Sequence, residues 1–242
     1  MIDIIIPLHN EGDLIENLFK EIEKKIGIPS NLIVIYDNEE DATIPVVKRL
    51  QNTFPFQINL EKNMYDSGTL NSIKTGFAKS TGEVVLVIRA DLSDDLIIVD
   101  EMYYKAINDK CDVVCGSRYV KGGKHIGGIK RKRRFFSIAG KLLHFFIGIK
   151  THDISNSFKM YSRRVIDTIV IESSEESEIG MELTMKAFIK GYKISELPTT
   201  WIDKSKGEVA FNIRKWTAMY MHWYRVALFH HWFSRFEKVT SD

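Results

Sequence analysis

The stretch that decides the fold reads Val84-Val85-Leu86-Val87-Ile88-Arg89-Ala90-Asp91. Its first five residues are apolar and predict a buried strand, and two charges follow at the carboxyl end of that strand. In an open α/β sheet, ligands usually bind at the carboxyl ends of the strands. A charged side chain next to a buried strand also needs a partner. We therefore predict that Arg89 and Asp91 face a ligand, and a phosphate and a metal ion are the partners that suit them.

Strands and helices alternate at short intervals through the first half of the chain. The predicted strands are 2–6, 32–36, 58–60, 84–88 and 113–115, and the predicted helices are 12–26, 44–50, 67–80 and 96–108. This alternation predicts an α/β fold, with a mostly parallel central sheet flanked by helices. The second half adds predicted helices at 137–147 and 177–190 and strands at 192–197 and 199–202. Glycines at 122–123 and 127–128 bracket a predicted basic loop.

Length and composition indicate one globular domain. The chain has 242 residues, of which 44% are hydrophobic and 27% charged, and its net charge is +2. No linker rich in proline, glycine or serine divides it, so we predict one domain over 1–210 and a helical extension over 211–242. Two cysteines, Cys111 and Cys115, are too few for a disulfide framework or a zinc site, and we expect buried thiols in a reducing compartment.

Charge is unevenly distributed along the chain. No carboxylate occurs between Asp112 and Asp153, whereas ten lysines and arginines do, with the densest run from Lys130 to Arg134. A solvated charge face is the usual explanation of such a run, but the flanking glycines and the absence of acids favour a loop that contacts an anion. A nucleic-acid-binding module is the other interpretation. The low net charge argues against it, so we expect no nucleic acid partner.

Polar residues follow the first two predicted strands. Pro7-Leu8-His9-Asn10-Glu11 offers groups that hydrogen-bond a nucleobase or a ribose, although the pattern alone favours a turn with Asn10 capping a helix. Asp37 follows the second strand, where an acid commonly holds a ribose hydroxyl or a base edge. A solvated acidic turn explains Asp37 equally well. Both interpretations stay open at this point.

Two further strand ends carry charge. The carboxylate of Asp91 suits a divalent cation that also binds substrate phosphates, and a helix cap is the alternative. For that cap Ser93, Asp94 and Asp95 are better placed. Arg118, in Gly116-Ser117-Arg118-Tyr119, is able to contact a phosphate through two hydrogen bonds.

Taken in order, these blocks resemble the family-2 glycosyltransferases with a GT-A fold. The resemblance is to the branch of dolichyl-phosphate mannosyltransferases and bacterial polyprenyl-phosphate sugar transferases, and it covers about residues 2–210. Five segments carry it. Ile4–Glu11 is similar to the family pattern P-x-Y-N-E, Tyr36–Thr43 to D-D-x-S-x-D-G-T, and Gly82–Ser93 to G-D-x-x-x-x-x-D-A-D-L. Gly116–Val120 is similar to G-S-R-Y, and Asp153–Tyr161 to D-x-x-S-G-F-R-x-Y.

The resemblance implies a Rossmann-like sheet and a hexosyltransferase. Such an enzyme moves a sugar from a nucleoside diphosphate sugar to an acceptor, here a polyprenyl phosphate at a membrane surface, and inverts the anomeric carbon. It implies Mg²⁺ or Mn²⁺ at Asp91, with Asp91, Arg118 and Arg89 as the catalytic residues. The implied nucleotide contacts are Pro7, His9, Asn10, Glu11, Asp37 and Asp66, and the implied phosphate or acceptor contacts are Lys130, Arg131, Arg133, Arg134 and Lys204.

One departure from the family pattern concerns the charge at the active site. The D-A-D of the family is Arg89-Ala90-Asp91 in this chain. One hypothesis is that the guanidinium replaces part of the charge of the metal, so that the dependence on Mg²⁺ or Mn²⁺ is weakened or lost. A second is that the chain is a non-catalytic nucleotide-sugar-binding homologue. In a third, Arg89 only pairs with Asp37 or Asp66.

The sequence allows two kinds of acceptor and more than one position for the C-terminal helix. A lipid phosphate is already ionised and needs no base, whereas a sugar hydroxyl needs a carboxylate, for which Glu178 and Glu182 are candidates unless they form an exposed helix face. A predicted aromatic, amphipathic C-terminal helix over 211–236 either lies in a membrane interface or packs on the domain or in a homo-oligomer. No signal peptide and no bilayer-spanning stretch is evident, so we expect a cytoplasmic protein, peripheral on the inner face of a membrane if bound there.

Overall fold

The computed structural model describes residues 1–203, 217–218 and 221–229. The strands in these ranges are β1 (Ile2–Pro7), β2 (Ser30–Tyr36), β3 (Gln57–Lys62), β4 (Val84–Val87), β5 (Val113–Ser117), β6 (Lys124–Ile126), β7 (Lys159–Ser162), β8 (Ile194–Pro198) and β9 (Thr200–Ile202). The helices are α1 (Leu14–Lys25), α2 (Thr43–Leu50), α3 (Thr69–Lys79), α4 (Val99–Ile107), α5 (Lys130–Ile147), α6 (Arg163–Thr168) and α7 (Glu176–Ile189), and residues 221–229 are also helical.

The main sheet has seven strands in the order β3-β2-β1-β4-β7-β5-β8. Strands β1 to β4 are parallel to one another, and β5 and β8 are parallel to each other, whereas β7 is antiparallel to both β4 and β5. The predicted mostly parallel α/β sheet is therefore confirmed. Strand β7 was not predicted, because it is short and begins with Lys159, a charged residue that the structure buries completely.

Each face of the sheet carries its own hydrophobic core. The side chains of β1 alternate, so that Ile4 and Ile6 join the core with α1, α2 and α4, while Ile5 joins the core with α3, α5 and α7. Burial on both faces explains why the central strands have continuous apolar sequences instead of alternating ones. It also leaves the strand ends as the places where polar side chains reach solvent or a ligand.

The basic segment is a helix, and its prediction as a loop was wrong. Helix α5 begins at Lys130, one residue after Gly127 and Gly128, which have positive φ angles of 82° and 67°. Cations in the first turn oppose the helix dipole, which is why the sequence favours a loop. Packing decides otherwise, since Phe136, Leu143 and other apolar residues of one helix face are buried in the core. The preceding segment is also partly ordered, because β6 pairs with β9 in a two-stranded sheet.

The described part of the predicted C-terminal helix packs on the domain. Trp223 is 5% exposed and Ala227 is fully buried, and the Tyr224 hydroxyl donates to the Ala139 carbonyl of α5. The rest of the predicted helix over 211–236 lies outside the described residues, so the division at residue 210 stays a prediction. In the described residues, no helix combines the length and the apolar character needed to span a membrane.

Candidate active site at the strand ends

Three neighbouring cavities share parts of their walls. The strand-end cavity lies against Pro7, His9, Glu11 and the segment from Val87 to Asp91. The central cavity, with a volume of about 240 Å³, shares Arg89, Ser157 and Glu176 with it. The basic cavity shares Arg118 and His125 with the central one. Arg89 therefore lies between the strand-end and central cavities, and Arg118 lies between the central and basic cavities.

The end of β1 forms one wall of the strand-end cavity. Because β1 and β4 run parallel with Ile5 opposite Val87, Pro7 and Arg89 reach the same edge of the sheet. The backbone N–H of His9 donates to the Glu11 carboxylate at 2.5 Å, and burial raises the pKa of Glu11. Pro7, His9 and Glu11, all predicted nucleotide contacts, therefore meet in one cavity.

Asn10 turns the chain at this wall. It adopts a positive φ of 59°, and its N–H donates to Asp41 at 3.0 Å. The side chain of Asp41 also accepts from the N–H of Thr43 at 2.7 Å. Burial opposes ionisation of Asp41, but these hydrogen bonds outweigh it and lower the pKa of the carboxyl. Asn10 is not among the described residues that line the three cavities, so its predicted contact with a nucleotide stays a prediction.

Asp37 holds the start of helix α3. Its carboxylate accepts from Asn63 at 2.7 Å, from the backbone N–H of Gly68 at 2.8 Å and from Ser72 at 3.2 Å. Asp66 lies in the loop between β3 and α3, and its carbonyl accepts from Asn63 and Asn71. Neither aspartate is among the described lining residues of the three cavities. Their predicted roles in nucleotide binding therefore stay predictions, and the structural role of Asp37 is what the geometry supports.

Arg89 and Asp91 form a half-exposed pair. The guanidinium lies 3.4 Å from the Asp91 carboxylate, and the two side chains are 49% and 38% exposed. Asp91 also accepts from the N–H of Ser93 at 2.9 Å. The proposed pairing of Arg89 with Asp37 or Asp66 is wrong, since the pair forms with Asp91. Arg89 lines both the strand-end and the central cavity, and Asp91 lines the former.

A half-buried acid that the sequence offered only as a helix cap lies next to this pair. Asp94 accepts from the backbone N–H of Arg89 at 3.1 Å, and its other oxygen is buried without a hydrogen-bond partner among the described residues. Burial raises the pKa of Asp94 to about 6. The sequence suggested a cap in this region, and the neighbouring Asp95 does accept from the N–H of Ile97. Both aspartates are half-buried, but of the two only Asp94 has a buried oxygen without a hydrogen-bond partner among the described residues, and the local sequence does not show this.

Arg118 is fixed by a buried carboxylate. Its guanidinium donates to both oxygens of Asp153, at 2.6 and 2.8 Å, and to Ser155 at 3.0 Å. It also lies over the rings of Tyr119 and Trp201, at 5.2 and 5.5 Å from their centroids. Burial of Asp153 opposes ionisation, but Arg118 outweighs it and lowers the pKa of that carboxyl. Arg118 therefore supports the wall between two cavities, in addition to its predicted role as a phosphate contact.

The basic cavity is built largely from α5. Lys130, Arg133, Arg134 and Lys141 line it together with Arg118. Arg133 donates to the carbonyl of His125 at 3.1 Å. Burial, aided by the charges of Arg118 and Arg133, lowers the pKa of His125 to about 4. The structure describes the backbone of Arg131 but not its side chain, and Lys204 lies outside the described residues.

The loop before β7 positions the wall of the central cavity. The buried ammonium of Lys159 donates to the carbonyls of Ile154 and Asn156, and Asn156 donates to the carbonyl of Gly116 at 2.8 Å. This arrangement holds the backbone next to Ser155 and Ser157, which line the cavity. The family-like pattern over Asp153–Tyr161 suggested the segment, but not the burial of its lysine.

Neither predicted base lies where a base is needed. Glu182 is fully buried and accepts from the N–H groups of Glu172 and Ser173 at 2.7 and 2.9 Å and from Lys186 at 2.6 Å. These contacts are structural, so the geometry does not support Glu182 as a base, and the alternative of an exposed helix face is wrong for this residue. Glu178 is not among the described residues that line the cavities. Glu176, half a turn earlier at the start of α7, does line both the strand-end and the central cavity.

Comparison with known proteins decides the family. The model of glycosyl transferase family 2 matches residues 3–170. The chain belongs to that family. A dolichol-phosphate mannosyltransferase of Pyrococcus furiosus is 27% identical over 210 residues, which are 86% of this chain and 58% of the relative. A polyprenol monophosphomannose synthase of Mycolicibacterium smegmatis is 22% identical over 228 residues, which are 88% of this chain and 85% of the relative.

The fold of this family 2 member is also that of solved structures. The mannosyltransferase PcManGT of Pyrobaculum calidifontis, in complex with GDP-Man and Mn²⁺, superposes with a TM-score of 0.61 at 17% identity. The match covers 100% of this chain and 64% of PcManGT. The predicted family and the GT-A fold are therefore confirmed. This chain spans little more than half the length of the Pyrococcus relative.

PcManGT was solved with Mn²⁺ bound. In the part of this chain that the structure describes, however, no three histidine, cysteine, aspartate or glutamate side chains converge as metal ligands. Asp91 offers one carboxylate, and the Arg89 guanidinium already lies 3.4 Å from it. The described side chains therefore do not enclose a metal by themselves, and the predicted site would need Asp91 together with the phosphates of a bound donor, with the Arg89 guanidinium next to it.

Proposed function

We propose that this chain transfers a sugar from a nucleoside diphosphate sugar to a polyprenyl phosphate at a membrane surface. An oxygen of the acceptor phosphate attacks the anomeric carbon, and the bond from that carbon to the donor diphosphate breaks with inversion. The electron pair leaves with the diphosphate, and the product is a sugar linked to a polyprenyl phosphate. One observation carries the proposal: the strand-end cavity and the cavity lined by cations both adjoin the central cavity, with which they share Arg89 and Arg118, respectively.

The strand-end cavity suits the donor. His9 and Glu11 present polar groups for the base or the ribose, and Arg89 stands at the inner end, where the diphosphate would lie. Negative charge builds on the diphosphate as the sugar leaves, and fixed cations stabilise that charge. The curated relatives are named for sugar transfer to polyprenol-type phosphates, and PcManGT was solved with GDP-Man, which supports this class of donor.

The basic cavity suits an acceptor phosphate. Lys130, Arg133, Arg134 and Lys141 attract a dianion, and an ionised phosphate attacks without a general base. A sugar hydroxyl is the second candidate acceptor, because Glu176 lines both the strand-end and the central cavity and is able to serve as its base. Transfer to a sugar hydroxyl needs Glu176 as a base, whereas transfer to a phosphate does not. The variant Glu176→Gln therefore distinguishes the two acceptors.

Arg89 bears on the use of metal. We infer that its guanidinium supplies charge that a divalent cation supplies in relatives with an acid at this position, so that Mg²⁺ or Mn²⁺ is weakly required or dispensable. The parent chain should then bind a nucleoside diphosphate sugar about equally with EDTA or with Mn²⁺ in calorimetry. The variant Arg89→Asp should bind the donor only when Mn²⁺ is present. Strong metal dependence of the parent would contradict the inference.

Donor and acceptor are tested in turn. A thermal-shift panel of UDP- and GDP-sugars identifies the donor, because a ligand that binds only the folded state raises the melting temperature. Transfer from that donor is then measured with a short polyprenyl phosphate and with the matching polyprenol, which lacks the phosphate. Product from the phosphate alone, unaffected by Glu176→Gln, is the expected result. Donor binding without transfer to either acceptor would instead favour a non-catalytic homologue.

A further inference from the structure

His125 lies at the boundary between the central and the basic cavity. Among the described residues, His125 and Arg118 are the two that line both cavities. Asp153 and Ser155 hold the Arg118 guanidinium in one orientation. His125 is the other polar side chain at this boundary, and it lies outside the five segments that carry the family-like pattern.

Neighbouring aromatic residues restrict the orientation of the His125 ring. Strand β6 places His125 opposite Trp201 of β9, and the two rings meet edge to face with their centroids 4.8 Å apart. The Tyr119 hydroxyl lies 3.4 Å from Nδ1 of the imidazole. Arg133 holds the backbone as well, since it donates to the His125 carbonyl at 3.1 Å. A ring with these contacts presents its other nitrogen, Nε2, in a preferred direction.

The imidazole of His125 is uncharged at neutral pH. Burial, aided by the charges of Arg118 and Arg133, lowers the pKa of His125 to about 4. An uncharged imidazole carries a hydrogen on one nitrogen and accepts at the other. Burial raises the pKa of Tyr119 to about 12, so its hydroxyl keeps its proton and is able to donate to Nδ1. With Tyr119 as the donor, the ring hydrogen is on Nε2, which is then itself a donor.

The boundary between the two cavities is where acceptor and sugar would meet. With the donor diphosphate beside Arg89 and the acceptor phosphate in the basic cavity, the sugar between them occupies the central cavity. Lys130 and Lys141 attract a phosphate as point charges, which do not fix the direction of its oxygens. A donor on a ring of restricted orientation does fix that direction.

We propose that the imidazole of His125 donates a hydrogen bond from Nε2 to an oxygen of the acceptor phosphate and so orients this phosphate toward the anomeric carbon. The inference rests on the proposed function for the identity of the acceptor. There are two alternatives. Either the ring only packs against Trp201, or it contacts the donor sugar in the central cavity.

Two substitutions separate the ring of His125 from its hydrogen-bond donor. His125→Phe keeps an aromatic ring against Trp201 but has no N–H group, whereas His125→Gln has an uncharged donor and no ring. In His125→Phe, kcat/KM for a short polyprenyl phosphate should fall about 10–100-fold, because a hydrogen bond to a charged group is lost. His125→Gln should retain more activity than His125→Phe. The opposite order would mean that ring packing is what matters, and it would overturn the proposal.

Donor binding distinguishes the acceptor from the sugar as the partner of His125. In calorimetry, the nucleoside diphosphate sugar that the thermal-shift panel identifies should bind the parent and His125→Phe with the same Kd. A Kd for the donor that rises in His125→Phe as much as kcat/KM for the acceptor falls would assign the contact to the sugar. The proposal would then be wrong.

His222 provides the matched control. Its ring also meets a tryptophan edge to face, 5.0 Å from Trp223 between centroids, but His222 is exposed and is not among the described residues that line the three cavities. His222→Phe should keep the kcat/KM of the parent, and a melting temperature close to that of the parent shows that each variant is folded. An equal loss of activity in His222→Phe and His125→Phe would mean that the effect does not come from the cavity boundary, and the proposal would fail.

Binding of the acceptor alone separates this inference from the proposed function. Without donor, a short polyprenyl phosphate should bind the parent more tightly than His125→Phe, and the matching polyprenol should show no such difference. If this difference is found but no sugar is transferred, His125 contacts the phosphate and the proposed function fails. If the parent and His125→Phe transfer sugar with equal kcat/KM, the proposed function stands and the role of His125 is wrong.

Discussion

Arg118 and Arg89 both follow a strand of the main sheet and both lie beside an aspartate, but their surroundings differ. The side chain of Arg118 is 9% exposed and makes two short hydrogen bonds to a carboxylate that is fully buried. Arg89 is 49% exposed and lies 3.4 Å from an aspartate that is itself 38% exposed. The sequence predicted Arg118 as a phosphate contact and left the role of Arg89 open among three hypotheses.

This difference indicates a structural role for Arg118 and a role in sugar transfer for Arg89. A guanidinium whose donors are held by Asp153 and Ser155 keeps one orientation and fixes the wall between two cavities. A half-exposed guanidinium with one longer contact is able to move its donors to a diphosphate at low cost, because exposed ion pairs are weak. We therefore expect changes at Arg118 to act on stability and changes at Arg89 to act on turnover.

The largest expected effect on stability is at the buried pair. Replacement of Asp153 by asparagine leaves Arg118 without its counter-ion, and loss of one partner of a buried pair costs about 3–5 kcal/mol. The free energy of unfolding in urea at pH 7 should fall by that amount. Since Arg118 lowers the pKa of Asp153, the stabilisation is present above the ordinary pKa of about 4 and fades as the pH falls below it.

The control for Asp153→Asn is an exposed pair of the same chemistry. Arg163 donates to Asp167 at 3.0 Å across one turn of α6, and the aspartate side chain is 59% exposed. Asp167→Asn should change the urea midpoint little. If both variants lose the same small amount of stability, Arg118 is not the support that the geometry indicates.

The sequence predicted the elements that depend on periodicity. The strands before Pro7, Asp37 and Arg89 were predicted because a strand buried on both faces needs a run of apolar residues, and such runs are local. The start of α5 was missed, because its first turn is unfavourable by itself and long-range burial of Phe136 and Leu143 stabilises it.

The candidate site was predicted in its residue types and less well in its contacts. His9, Glu11, Asp91 and Arg89 do meet in one cavity, since strand order brings the carboxyl ends of β1 and β4 together. Asp94, Asp153 as the partner of Arg118, and Glu176 were not assigned these roles. Their roles depend on burial and on segments that meet only in the folded chain.

The second prediction concerns turnover. Arg89→Ala should lower the kcat of sugar transfer about 10²–10³-fold, the usual cost of losing one donor that stabilises charge in a transition state. The free energy of unfolding should stay within about 0.5 kcal/mol, as for most exposed positions. Arg89→Lys keeps a charge and should retain more activity than the alanine variant. Loss of stability without loss of kcat would reverse the assignment of roles to the two arginines.

The smallest expected effect concerns two acids, Asp153 and Asp94, whose pKa values shift in opposite directions. Arg118 lowers the pKa of Asp153, whereas burial raises that of Asp94 to about 6, even though Arg89 is close by. The folded protein therefore holds a proton on Asp94 more tightly than the unfolded chain does. The charged carboxylate destabilises the fold above pH 6, and this cost disappears as the pH falls toward 4.

Asp94→Asn should accordingly stabilise the protein at pH 8, by an amount on the order of 1–3 kcal/mol, and should make little difference near pH 4. Asparagine keeps an oxygen for the N–H of Arg89, so the loop is preserved. Urea unfolding at the two pH values measures the gain, and Asp109→Asn, at a half-exposed side chain, is the control. A loss of stability at pH 8 would mean that the charged Asp94 carboxylate stabilises the fold next to Arg89. The aspartates beside Arg89 and Arg118 would then both stabilise the protein in their ionised form.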